Sequence, residues 1–140
     1  MPKKIPMKKN TYVLDSYALM PILQDVSGAQ FVEDLLIAAQ EAKATLFMSV
    51  INLGELFYIL IRELGNEHAE NLLAIFENLD ITIIDADKSR VLAAARFKVI
   101  GGLSYADSFA VALAVEKKAI LVTGDPEFKK FQKILTIEWI

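Results

Sequence analysis

The 140-residue chain contains no cysteine and one histidine, His68. Without cysteine it can have no disulfide framework, no thiolate nucleophile and no cysteine-ligated zinc or iron–sulfur site. A single histidine cannot supply a two-histidine metal site. Any metal must therefore sit on oxygen ligands. Long apolar runs are also missing. The run over residues 109–115 falls far short of the about 20 residues of a membrane span, and no secretory signal is visible at the N-terminus. A cytoplasmic location without membrane association is the expectation. Glycine and proline are sparse (six and four), whereas 54% of the residues are hydrophobic and 24% charged, a balance that fills one core and excludes disorder over most of the chain.

The formal charge of −3 is unevenly spread. Lys3, Lys4, Lys8 and Lys9 fall in the first ten residues with no acid among them, leaving 11 basic against 18 acidic residues in 11–140, a balance of −7. Such a body is a poor general binder of phosphate backbones. Residues 1–10 read as a lysine-rich flexible arm and 11–140 as a single domain.

Short β-prone runs alternate with helical stretches. Strands are expected at 11–15, 45–49, 81–84, 119–123 and 134–140, and helices at 19–24, 29–43, 50–64, 67–79, 88–98 and 104–118. Gly65 is a natural helix C-cap. Apolar rather than alternating strands, separated by helices, predict an α/β domain with three α/β/α layers and a mostly parallel five-stranded sheet.

Most acids, including Glu63, Glu67, Glu70 and Glu77, fit solvated helix faces, and His68 joins them. Four others are harder to place. Asp15 ends the first strand, where open α/β sheets form their ligand crevice, although a turn or N-cap aspartate would look the same. Glu55 is the only charge in VINLGELFYILI; Ser49, Asn52, Glu55 and Arg62 form a thin polar stripe on an otherwise apolar helix. A carboxylate there is paired, with Arg62 or a lysine from another helix, or it serves a function. Asp107 makes a capping box with Ser104, yet opens an apolar helix packed on the sheet. Asp125 followed by Pro126 reads as an N-cap with proline at the first helical position, again at a strand's carboxyl end. Asp85 and Asp87 also follow a strand but lack apolar embedding, and are assigned to capping.

Together, two acids at strand ends and two on the following helices can converge on one edge of the sheet. Four carboxylates in one cleft repel, so they must protonate or recruit cations. Hard oxygen donors without histidine or cysteine select Mg²⁺ or Mn²⁺. Two such ions about 4 Å apart can activate water and stabilise the leaving oxygen of a phosphodiester. No glycine-rich phosphate loop with its lysine is present, which excludes a P-loop NTPase. A phosphoacceptor receiver domain would want paired acids at the first strand and a lysine after a late one, but Asp15 is alone and Gly124 follows Thr123. A haloacid-type phosphatase would want aspartate where Tyr17 stands.

The segments YVLDSYAL (12–19), INLGELFYIL (51–60), LSYADSFAVALA (103–114) and LVTGDPEF (121–128) resemble, in this order, a PIN domain, most closely the VapC-type toxins of bacteria and archaea. The resemblance covers about residues 11–140. It implies that Asp15, Glu55, Asp107 and Asp125 form the catalytic metal site, with Ser16 and Thr123 as supporting hydroxyls. It further implies Mg²⁺- or Mn²⁺-dependent cleavage of RNA, a homodimer, and a cognate antitoxin protein that inserts into the acidic groove. Pro126, directly after the last acid, departs from the family pattern and stiffens that turn. Lys117, Lys118, Lys129, Lys130 and Lys133 are candidate contacts to the RNA backbone. The alternative is a catalytically inactive PIN-like binding or scaffold module.

Overall fold

The computed structural model describes residues 8–140. Residues 1–7, most of the expected arm, lie outside the described residues. Lys8 N–H donates to the Lys118 carbonyl at 2.7 Å, and Thr45 N–H donates to the Asn10 carbonyl at 2.8 Å. Five strands, β1 (Thr11–Leu14), β2 (Thr45–Ser49), β3 (Ile81–Ile84), β4 (Ile120–Thr123) and β5 (Ile137–Trp139), form one sheet in the order β3-β2-β1-β4-β5. Every ladder is parallel, with Val13 opposite Phe47 on one side and Leu121 on the other.

Alternate residues of the central strands feed two cores. Val13 and Leu121 pack with Ala110, Val111 and Ala114 of α6 (Tyr105–Lys117) and with Phe128 and Phe131. Leu14 and Val122 face the other way, against Val32 and Leu35 of α2 (Ala29–Gln40) and Leu56 and Leu60 of α3 (Val50–Leu64). α1 (Met20–Gln24) and α4 (Asn66–Glu77) complete that layer, while α5 (Lys88–Ile100) pairs with α6. The three-layer α/β/α architecture with a parallel five-stranded sheet is thus as expected. Among the described residues, no single helix is long and apolar enough to cross a membrane.

Local differences from expectation have local causes. α2 stops at Gln40 rather than 43, because Ala42 turns left-handed (φ 59°) and Lys43 N–H closes on the Ala38 carbonyl at 2.7 Å. The last strand is only Ile137–Trp139, because the Ile134 and Leu135 N–H groups turn back to the Phe131 carbonyl at the end of a 3₁₀ helix, Pro126–Lys133, that buries Phe128 and Phe131. Gly65 ends α3 at φ 84°, a left-handed region that glycine enters without a Cβ clash.

Ser49 deserves note for position. It ends β2 and its Oγ accepts the Ile51 N–H at 3.2 Å, so α3 starts directly at the sheet's carboxyl edge.

Candidate active site

β1 continues to β2 on one side of itself, whereas β4 lies on its other side, which makes β1/β4 the switch point where open sheets leave a crevice at their carboxyl ends. Asp15 and Asp125 flank that point. Asp15 is 1% exposed. Its Oδ1 accepts the Tyr17 N–H at 3.1 Å, and its Oδ2 accepts the Thr123 hydroxyl at 2.5 Å. The Thr123 oxygen also accepts the Asp125 N–H at 3.0 Å, so one buried hydroxyl orients both acids. Asp125 caps the 3₁₀ helix by accepting the Glu127 N–H at 2.9 Å, with Pro126 in the first turn as expected. The proline is thus accommodated without displacing the acid.

Asp107 lies in the first turn of α6. Its N–H is capped by Ser104 Oγ at 3.1 Å, so half of the expected capping box exists. Its carboxylate, in a residue only 6% exposed, meets those of Asp125 and Glu127: one oxygen from each of the three lies within 4.8 Å of the others. Glu127 was not singled out in the sequence. The available signal was its place two residues beyond Asp125, where the Asp125 cap turns the backbone and returns a second acid to the cleft.

Glu55 projects from α3 and is partly buried, with Oε1 out of contact with water and without a hydrogen-bond partner. Arg62, its candidate partner, donates instead to Glu63 Oε1 and to the Tyr58 hydroxyl, both at 3.1 Å. The ion-pair alternative therefore fails for Arg62. Leaving a buried acceptor unsatisfied costs about 1–3 kcal/mol, which a merely structural side chain would not need to bear. Asn52, one turn earlier, is fully buried; its amide nitrogen donates to Ser16 Oγ and to the Ala106 carbonyl, both at 3.0 Å.

The electrostatics follow from this crowding. Burial pushes the Asp15 carboxyl up to about 7; the Thr123 and Tyr17 hydrogen bonds pull it back, and the charges of Asp107 and Asp125 raise it further. Burial likewise lifts Asp107 to about 6, opposed by Ser104 and reinforced by Asp125, Glu55 and Glu127. The half-exposed Tyr17 phenol is raised by desolvation and then by Glu55, with smaller contributions from Asp107 and Asp125. The five acids thus share one field. Among the described residues none of them joins a salt bridge.

Two other groups of charges lie elsewhere. Lys117 and Lys118 stand at the opposite end of α6 from Asp107, about 15 Å along a helix rising about 1.5 Å per residue. Lys117 pairs with Glu116 at 3.4 Å and sits 5.0 Å from the Phe47 ring centroid, so this part of the basic cluster cannot line the acidic cleft. Lys130, on the 3₁₀ helix, donates to the Gly101 carbonyl at 2.9 Å. His68 and the acids Glu63, Glu67, Glu70 and Glu77 are exposed, as expected.

The fold is that of an α/β protein with helices on both faces of a parallel sheet and carboxylates gathered at its switch point. Residues 12–134 match the family model of the PIN domain, and the chain belongs to that family. Its fold is similar to VapBC2 from Rickettsia felis, solved bound to a DNA fragment from its promoter (TM-score 0.73, 20% identity, covering 93% of this chain and 99% of that one). It is also similar to the DNA-bound VapBC of Salmonella typhimurium (TM-score 0.72, 17% identity, 93% and 98% covered). A third similar structure is Mycobacterium tuberculosis VapC20, a Sarcin-Ricin loop cleaving toxin (TM-score 0.69, 16% identity, 88% and 96% covered). No curated protein sequence is significantly similar to this chain.

Proposed function

We propose that this PIN domain is a divalent-metal-dependent endoribonuclease and the toxin of a toxin–antitoxin pair. The observation that carries the reading is the meeting of Asp107, Asp125 and Glu127 oxygens within 4.8 Å, beside buried Asp15 and partly buried Glu55, none of them in a salt bridge among the described residues. The donor set fits Mg²⁺ or Mn²⁺, since every available ligand atom is a hard oxygen and Glu55 Oε1 is buried without a partner. When bound, such ions supply Lewis acidity and lower the pKa of water.

The chain's own residues do the rest. Asp15, Glu55, Asp107 and Asp125 would hold the ions, and Glu127 adds a fifth carboxylate at the exposed rim. Thr123 locks the Asp15 rotamer and the Asp125 backbone through one hydroxyl. Ser16 supports the Asp15 turn. The Asp15 and Asp107 carboxyls must release their protons before they act as ligands, which sets activity to rise through about pH 6–7.

RNA as substrate is supported by the similar VapC20, which cleaves the Sarcin-Ricin loop. An antitoxin partner is supported by the VapBC complexes among the similar folds and by a groove beside Tyr17, lined by Met20 and Leu23 of α1 and by Ile59 and Leu64 of α3. A homodimer belongs to the same reading, supported by exposed Leu92, Val99 and Ile100 on α5 at one-face spacing. The deciding experiment is Mn²⁺- and Mg²⁺-dependent cleavage of RNA by wild type, Asp15→Asn and Asp107→Asn. Loss of cleavage in both folded variants is expected, and full activity in either overturns the assignment. Metal binding without cleavage by wild type would favour the scaffold module. Growth arrest on expression alone, relieved by a neighbouring gene product, tests the toxin role; sedimentation velocity tests the dimer.

A further inference from the structure

Glu55, Asp15 and Asp107 come from three segments far apart in sequence, and one side chain touches or carries all three. Asn52 sits in the first turn of α3, three residues and so one helical face from Glu55. Its amide nitrogen donates to Ser16 Oγ, next to Asp15, and to the carbonyl of Ala106, next to Asp107. The orientation of the amide is unambiguous, because a backbone carbonyl can only accept. Both hydrogens are therefore committed, and Asn52 Oδ1 is left buried without a partner among the described residues, as is Glu55 Oε1 on the same helix. Ser16 is fully buried too. By filling a lone pair of Ser16 Oγ, Asn52 leaves the Ser16 O–H as a donor.

We infer that Asn52 is a positioning residue for the metal centre: its carboxamide clamps the end of β1 and the start of α6 to α3, and so sets the spacing of Asp15, Glu55 and Asp107. It ligates nothing itself. The role rests on the metal-dependent reading above. A helix in this place needs only an apolar side chain for packing, and leucine has nearly the shape of asparagine. What leucine lacks is the pair of donors that joins the three acid-bearing segments.

The test is Asn52→Leu beside wild type, with Mn²⁺ affinity measured by calorimetry, melting temperature measured in EDTA, and amide hydrogen exchange measured without metal. The clamp predicts about 10–100-fold weaker Mn²⁺ binding, the usual cost of losing a partner that orients metal ligands. It also predicts faster exchange at residues 15–18 and 105–108, with a melting temperature near wild type. A purely structural Asn52 would lower the melting temperature and leave affinity unchanged in the folded protein, and that result overturns the proposal. If Asn52→Leu does not fold, Ser16→Ala decides. It removes one of the two acceptors from a site that tolerates a small residue, and unchanged Mn²⁺ affinity and exchange there would refute the clamp. Failure of wild type to take up Mn²⁺ would instead overturn the metal reading, and with it this role.

Discussion

Two places on the same edge of the sheet carry aspartates just after a strand, and they have opposite characters. After β3, Asp85 and Asp87 are exposed. Asp87 caps α5 by accepting the Arg90 N–H at 3.0 Å, and the Arg90 guanidinium reaches Asp87, the Asp85 carbonyl and both oxygens of Glu116. After β1 and β4, Asp15 and Asp125 stand with Asp107 and Glu55, all buried or partly buried, and with exposed Glu127, without a salt bridge among the described residues. The residue type and the position relative to a strand are the same. Burial and the lack of an ion-pair partner separate the two groups, because solvent and Arg90 neutralise one while no lysine or arginine among the described residues pairs with the other.

The largest contrast is expected in catalysis. Asp15→Asn or Asp107→Asn should lower metal-dependent RNA cleavage by about 10³-fold or more, the several kcal/mol that a correctly held ion contributes. Asp87→Asn should leave the rate unchanged. Equal losses in single-turnover cleavage would erase the distinction between the two sites.

Stability should respond to pH at the acidic cleft. Folding raises the Asp15 and Asp107 carboxyls from 3.8 to about 7 and about 6, so between about pH 4 and pH 7 the native state binds more protons than the unfolded one. Unfolding free energy therefore falls as pH rises through that window and levels off above it. Urea denaturation in EDTA at pH 5 and pH 8 should show the protein more stable at pH 5. Asp15→Asn should flatten the difference, and Mg²⁺ should restore stability at pH 8, since it binds only the native, deprotonated site.

Smaller effects lie at the control site and at the far end of α6. Asp87→Ala should cost about 0.5–2 kcal/mol of stability through loss of the α5 cap, measured by chemical denaturation, with no change in metal affinity. Lys117→Ala should leave RNA affinity and its salt dependence unchanged, because about 15 Å of helix separates it from Asp107, beyond the roughly 8 Å screening length at physiological salt. A reduced salt slope would return that lysine to the RNA-binding surface.

Much of the fold was legible because apolar runs bounded by glycine and polar turns report layers directly. VLD, LFMS and ILVT had to be buried on both faces, and Gly65 had to end a helix. The exceptions lack such punctuation. The end of α2 uses Ala42 in a left-handed turn, where glycine would have marked it. The 3₁₀ helix of Pro126–Lys133 has lysines between buried Phe128 and Phe131, and so short and charged a segment shows neither a helix nor a strand period. The candidate site was legible as four suspicious acids. Glu127 was not, because an exposed glutamate after proline has no distinguishing sequence context.

Composition and pattern alone settled the α/β class and the parallel sheet, and restricted any proposed metal site to oxygen ligands, because these depend on which residues are present and on their local period. Tertiary structure decided which acids meet. Glu55 lost Arg62 to Glu63 and Tyr58, Lys117 and Lys118 went to the far end of α6, and Asn52 came to join Ser16 and Ala106. Proximity across 36 or 54 residues of chain depends on sheet order and helix packing, and local sequence does not encode that distance.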